Sequence, residues 1–126
     1  DNFTASSGNT FKIALYTSDA SLGAATTAYS TSNEISNTSG SAYTAGGATL
    51  TSVTPTTSGT TAICDFADVS YTSASFTANG ALIYNDTQSD KAVAVIAFGG
   101  DKTVSSGTFT IQFPTADASN AIIRIA

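Results

Sequence analysis

The chain contains no histidine and no methionine, a single cysteine, and only 10% charged residues. Without imidazole, Ser-His and Cys-His nucleophile activation, histidine-based zinc sites and the usual general base near neutral pH are all missing. Most hydrolase mechanisms go with them. The lone Cys64 forms no intrachain bridge, which excludes the disulfide frameworks of small secreted domains and leaves the compartment open. The longest apolar run, residues 92–98, falls far short of the ~18 to 20 residues a membrane-spanning helix needs, and no signal sequence opens the chain. A soluble protein without a membrane partner is expected. Because position 1 is Asp rather than Met, an upstream piece is expected to be missing from this sequence.

Positive charge is scarce as well. Nine acidic side chains against four basic ones give a net charge of -5, and Lys12, Lys91, Lys102 and Arg124 are scattered along the chain. A nucleic-acid surface needs concentrated positive charge to neutralise phosphates, so that partner class is disfavoured. In place of charge the chain carries Ser and Thr, several-fold more abundant than charged residues. Hydroxyls solubilise short strands well, and such surfaces are common in proteins that pack against copies or partners.

At 126 residues the chain makes one domain, residues 1–126, able to bury roughly two-thirds of its unfolded-chain surface. Residues 1–10 hold one aromatic, Phe3, and read as an N-terminal arm. Phe11, Ile13 and Leu15 then alternate with Lys12, Ala14 and Tyr16, the period of a half-buried strand. Residues 18–47 keep no clean period and read as a surface excursion that supplies a helical turn or a short strand around 33–36. Residues 48–53 alternate again and stop at Pro55, while residues 60–66 and 69–71 are two further strand candidates. Residues 75–113 are the organising stretch: three strands separated by the breaks NDTQSDK and DKTVSSG. The middle one, apolar on both parities (Val93, Val95, Ala97; Ala92, Ala94, Ile96, Phe98), is expected in a sheet interior. Phe109, Ile111 and Phe113 alternate most cleanly, and residues 121–125 close the chain. The count is about eight short strands, the pattern of an all-β, single-domain antiparallel sandwich of jelly-roll or immunoglobulin-like type. No long amphipathic helix and no fixed-period repeat interrupts it.

Candidate chemistry is thin. Asp65 and Asp68 are the nearest acid pair, and a strand-to-turn Asp ordinarily caps its turn. Cys64 has no basic sequence neighbour and reads as a small core residue. The loop Asn85, Asp86, Asp90 is oxygen-rich but lacks the Gly and Glu that define an EF-hand, so a solvated hairpin turn is expected. Gly46-Gly47 and Gly99-Gly100 are isolated pairs, the second read as a tight turn. Five tyrosines (Tyr16, Tyr29, Tyr43, Tyr71, Tyr84) would stack on sugar rings if they converged on one face. Thr56-Thr57 lacks the repeating register of an ice-binding surface. Asn-x-Ser/Thr sequons at Asn2, Asn37 and Asn85 are expected by chance in so hydroxyl-rich a chain. No catalytic, cofactor-binding or metal-binding residue is assigned.

Together FKIALYTSDASLGAATTAYSTSNEIS, YTAGG, FADVSYTSASFTANGALIYN and KAVAVIAFGGDKTVSSGTFTIQFPTADASNAIIRIA resemble a family of small virion structural proteins of tailed bacteriophages, over residues 11–126 almost continuously. Members carry an additional N-terminal segment absent here, and SNTSGSAYTAGG is longer than the family's usual SGTGYTAGG. The resemblance supplies no catalytic residue. It implies a non-enzymatic virion protein, a capsid decoration or cement protein that binds the major capsid protein lattice in many copies. A homo-oligomer is implied too, with a trimer favoured because decoration proteins commonly occupy threefold positions. The competing expectation is a tail-fibre or tail-tip domain that recognises host-surface glycan through residues 18–47 and exposed tyrosines. An enzyme is the least expected class.

Overall fold

A computed structural model describes residues 1–36 and 38–125. The Asn37 sequon lies outside them. The strands are β1 (Phe11–Tyr16), β2 (Ala48–Thr49), β3 (Ser52–Ser58), β4 (Thr61–Phe66), β5 (Val69–Asn85), β6 (Lys91–Ile111) and β7 (Ile123–Ile125). They form a four-stranded sheet in the order β2-β1-β5-β6 and a three-stranded sheet in the order β3-β4-β7. Every pairing is antiparallel. The domain is the all-β sandwich that the alternating pattern predicts.

Two expectations about strand length are corrected. Residues 69–71 and 75–85 are one strand, and DKTVSSG is no break: β5 and β6 are the arms of one long hairpin. The polar stretches that read as turns are irregularities inside the ladder, with register shifts at Tyr71/Ala74, Ala74/Phe76, Ala78/Gly80 and Ile83/Tyr84. Ser73 and Ser106 take left-handed φ of 50° and 49°, and Gly99 and Gly100 bulge at 78° and 152° rather than reversing the chain. Such bulges twist the strand while the pairing continues. Exposed hydroxyl pairs, Ser70 with Thr110 at 3.1 Å and Thr77 with Thr103 at 2.9 Å, also join the arms.

The strand expected in the sheet interior is at its edge. β6 has β5 as its one strand neighbour, with only a single bridge from Ala28 to Lys91 on its other side, and most of residues 92–98 are half-buried. Both parities are apolar because each face is covered: Val93, Ala94, Ile96 and Phe98 pack on the main core and Ala92 and Val95 on a second cluster, the shift at Ile83/Tyr84 placing the neighbours Val93 and Ala94 on the same side. The interior strands are β5 and β1. Phe11, Ile13 and Leu15 face the main core with Phe66, Ala81 and Ile83, whereas Ala14 and Tyr16 join Leu82 and Tyr84 in a second cluster on the opposite face. β1, expected to be half-buried, is therefore covered on both sides.

Residues 48–53 are no single strand either. β2 belongs to one sheet and β3 to the other, and Leu50 and Thr51 make the crossing, tied by Leu50 N–H to Phe11 C=O (2.8 Å) and Ala67 N–H to Thr51 C=O (2.9 Å). Pro55 lies within β3, not at its end. It sits on an outer strand at the register shift between Val53 and Thr56, where a missing N–H costs no ladder bond.

The first ten residues are folded down rather than free. Phe3 stacks on Phe11 with ring centroids 4.6 Å apart and meets Phe66 edge-on at 6.3 Å. Asn85 donates its amide to Asp1 Oδ1 (2.6 Å) and Asn9 Oδ1 (3.0 Å), and Thr10 N–H reaches Thr87 Oγ1 (2.8 Å). This segment seals one end of the sandwich.

Candidate functional site

The sequence gives Glu34 no distinguishing context: one acid in a hydroxyl-rich excursion. In the fold it is a hub. Glu34 bridges to Tyr16 at the end of β1, with Ile35 N–H on Leu15 C=O (3.0 Å) and Thr17 N–H on Asn33 C=O (2.9 Å). That places its carboxylate between three donors: Tyr29 Oη–H to Oε1 (2.6 Å), Tyr43 Oη–H to Oε2 (2.6 Å) and Gly46 N–H to Oε2 (2.8 Å). Tyr43 Oη also accepts from Leu15 N–H (3.0 Å), Tyr84 Oη–H donates to Gly46 C=O (2.6 Å), and Tyr16 Oη–H donates to Ser30 C=O (2.7 Å). Bonds to an ionised acceptor are the short, strong class. The only usable sequence signal was the placing of the one carboxylate of residues 28–46 between Tyr29 and Tyr43.

Residues 18–36 and 38–47 are thus clasped to the sheet, although most of their surface is exposed. Four tyrosines do converge, but inward. Tyr16, Tyr43 and Tyr84 are almost wholly buried, and Tyr29 lays its ring on Tyr84 with centroids 4.7 Å apart. Burial pushes the Tyr16 phenol up to about 12, helped by the Glu34 charge and opposed by the bond to Ser30. Tyr71 is also pushed up to about 12 by burial, and its hydroxyl, beside the Ala48 backbone, forms no well-aligned hydrogen bond. Tyr29 and Tyr43 are raised further, first by burial and then by donating to Glu34; Tyr84 is raised by burial and then by Asp86 and Asp90. These phenols are proton holders rather than acids at neutral pH.

The remaining candidates do not gather. Asp68 Oδ1 accepts from Phe113 N–H (2.8 Å), fixing the end of the β6 segment, while Asp65 Oδ1 is buried without a partner. The two acids share no ligand geometry. Cys64, expected as a small core residue, is half-buried and joins neither apolar cluster; burial pushes its thiol up. Asn85 is fully buried and caps the hairpin turn, its Oδ1 accepting from Thr87 N–H (3.1 Å) and Gln88 N–H (3.2 Å), which closes that sequon to modification. Asp86 pairs with Lys12 at 3.2 Å. Hydrogen bonds from the Asn120 side chain and then the Ser119 backbone hold the exposed Asp117 carboxyl below its ordinary range, as a turn cap. Among the described residues no three acids or cysteines cluster as metal ligands, and no helix is long and apolar enough to cross a membrane.

What the surface does offer is contact. An open groove of about 530 Å³ runs between β6 and the C-terminal segment, lined chiefly by Ile96, Phe98, Phe109, Ile111, Phe113 and Ile122, with Lys102 at its rim. A second hollow, about 460 Å³, lies on the other flank of β6 between residues 92–97 and the loop Leu22–Thr26. A third, a shallow one of about 790 Å³, is lined by Tyr16 and residues 20–33 and has no charged side chain in its lining. The first of these, with its phenylalanine and isoleucine lining, suits apolar contact better than turnover. No known protein family, no curated protein and no solved structure matches the chain.

Proposed function

We propose that this chain is a non-enzymatic structural protein of a tailed-bacteriophage virion, a decoration or cement protein that binds the major capsid protein lattice in many copies. The reading joins the family resemblance to one structural observation: the groove between β6 and the C-terminal segment is apolar and open, while the polar side chains that converge are spent on one another. A cement protein works by contact area, and weak contacts repeated over a symmetric shell add through avidity. The sandwich suits that work because its loops are tied down before binding, so little ordering cost remains. The glycan-binding alternative loses its aromatic platform, since the tyrosine hydroxyls and the Tyr29 ring are engaged within the fold.

Virion fractionation tests this directly. The protein should stay with purified heads after tails are stripped, in hundreds of copies per particle, and full heads without it should release DNA at lower temperature. Recovery only with tails, in a dozen copies or fewer, would refute the cement reading in favour of receptor binding.

A further inference from the structure

Unpaired strand edges invite pairing with another chain, and folded proteins guard them with shortness, proline, charge or bulges. Here nearly every edge is guarded. β2 is two residues long, β3 carries Pro55 and a register shift, and β7 is three residues long with Arg124 in its middle. The distal part of β6 has the Gly99-Gly100 bulge followed by Asp101 and Lys102. The start of β6 is occupied: Ala92 N–H donates to Thr27 C=O and Tyr29 N–H to Asp90 C=O, both at 2.9 Å. Left-handed Ser106 and Ser73 bend the far end of β6 and the facing part of β5. Residues 93–98 are left, uncharged, rich in strand-forming side chains and flanked by a hollow on each face.

We infer that residues 93–98 are a homodimer contact, in which the same edge of a second copy pairs antiparallel about a twofold axis and joins two four-stranded sheets into one. The occupant is a second copy because the stretch is complementary to itself. A twofold through Val95 sets Val93 against Ala97 and Ala94 against Ile96. One through Ile96 sets Ala94 against Phe98 and Val95 against Ala97. Either register puts an alanine opposite a larger side chain and brings no charges face to face, and isologous pairing closes at two copies instead of growing a fibre. The inward-leaning side chains of the incoming strand would fill the hollows of about 530 and 460 Å³. The contact is twofold, unlike the trimer implied by the resemblance, and it does not rest on the virion reading.

Sedimentation equilibrium on the whole chain tests it, with Ala97→Lys as the variant, because Ala97 is exposed and a lysine there leaves the isolated fold intact. Wild type should be dimeric at micromolar concentration. Ala97→Lys, which buries an unpaired charge in each half of the contact, should weaken dimerisation by roughly 30-fold or more with an unchanged circular-dichroism spectrum. A second readout uses a Cys64→Ser background carrying Val95→Cys or Ile96→Cys: the residue on the axis should cross-link to its own copy under mild oxidation. A wild type that is monomeric or trimeric throughout, or a dimer that tolerates Ala97→Lys and cross-links at neither position, overturns the inference.

Discussion

Removing the Glu34 carboxylate is the sharpest test of the claim that residues 18–36 and 38–47 are clasped rather than loose. Glu34→Ala takes one acceptor from three donors. The Tyr43 hydroxyl, on a side chain only 1% exposed, then has no acceptor for its proton, a loss of about 1–3 kcal/mol. Tyr29 is half-buried and the Gly46 amide lies on a turn, so water partly replaces those bonds at about 0.5–1 kcal/mol each. The sum is about 3 kcal/mol, or on the order of 10 °C in melting temperature for a domain of this size. An ordinary exposed acid would cost under about 0.5 kcal/mol.

Urea unfolding of a short series separates this from generic damage. Glu34→Gln keeps the shape and one acceptor oxygen but must turn a tyrosine hydroxyl around, and should cost about 1 kcal/mol. Tyr43→Phe loses both the proton given to Glu34 and the acceptor for Leu15 N–H, and should cost about 2 kcal/mol. Combined with Glu34→Ala it should cost less than the two losses added, by about 1 kcal/mol or more, because both remove one bond. A Glu34→Ala midpoint within error of wild type, or strict additivity with Tyr43→Phe, would refute the clasp.

Three other outcomes follow. The Tyr16 and Tyr71 phenols hold their protons more tightly folded, near 12, than at their ordinary 10.0, so stability should be intact below pH 10 and fall as pH rises through about 12; melting curves from pH 8 to 12 check this, tyrosinate absorbance rising with unfolding and not before it. Gly47→Ala should cost about 4 kcal/mol or more, because its φ is +82° and a Cβ there would lie 1.9 Å from Ile13 C=O, whereas Gly40→Ala, at φ +85° in open space, should cost about 1–2 kcal/mol of strain alone by thermal denaturation. Phe3→Ala should lower stability by about 2 kcal/mol by removing the ring stacked on Phe11, read from the urea midpoint.

Alternation alone was enough to read the all-β sandwich, because burial on one face leaves a period of two wherever a strand runs straight. It misled where strands bulge. Ser73, Ser106 and the Gly99-Gly100 pair have turn chemistry, and only the partner strand shows that pairing resumes beyond them. Cover on both faces, from the main core and from the cluster around Leu22, gave residues 92–98 two apolar sides and disguised an edge as an interior. β1 went the other way: Ala14 and Tyr16 read as its exposed side, but the cover for that side comes from Ala20, Leu22 and Tyr29, in a segment with no period of its own. Glu34 was illegible for a related reason. A carboxylate's partners are set by where a loop closes, and the bond from Tyr84 to Gly46 spans 38 positions.

The clasp and the free edge are mechanically joined, and that connection has its own consequence. Thr27 and Tyr29 close the start of β6, and Tyr29 is also the residue that donates to Glu34 and stacks on Tyr84. Loosening the clasp should therefore release residues 27–29 from Asp90 and Ala92, lengthening the unguarded edge beyond residue 93 and removing the stop that limits its register. A longer, apolar edge with several allowed registers pairs promiscuously. Glu34→Ala should then form concentration-dependent species larger than a dimer under native conditions, seen by light scattering, and adding Ala97→Lys should suppress them without restoring the lost stability. Tyr16→Phe, which removes only the bond to Ser30, should stay at the wild-type size. Larger species that persist in the Glu34→Ala, Ala97→Lys double variant would show that they arise from general unfolding, and the link between clasp and edge would fail.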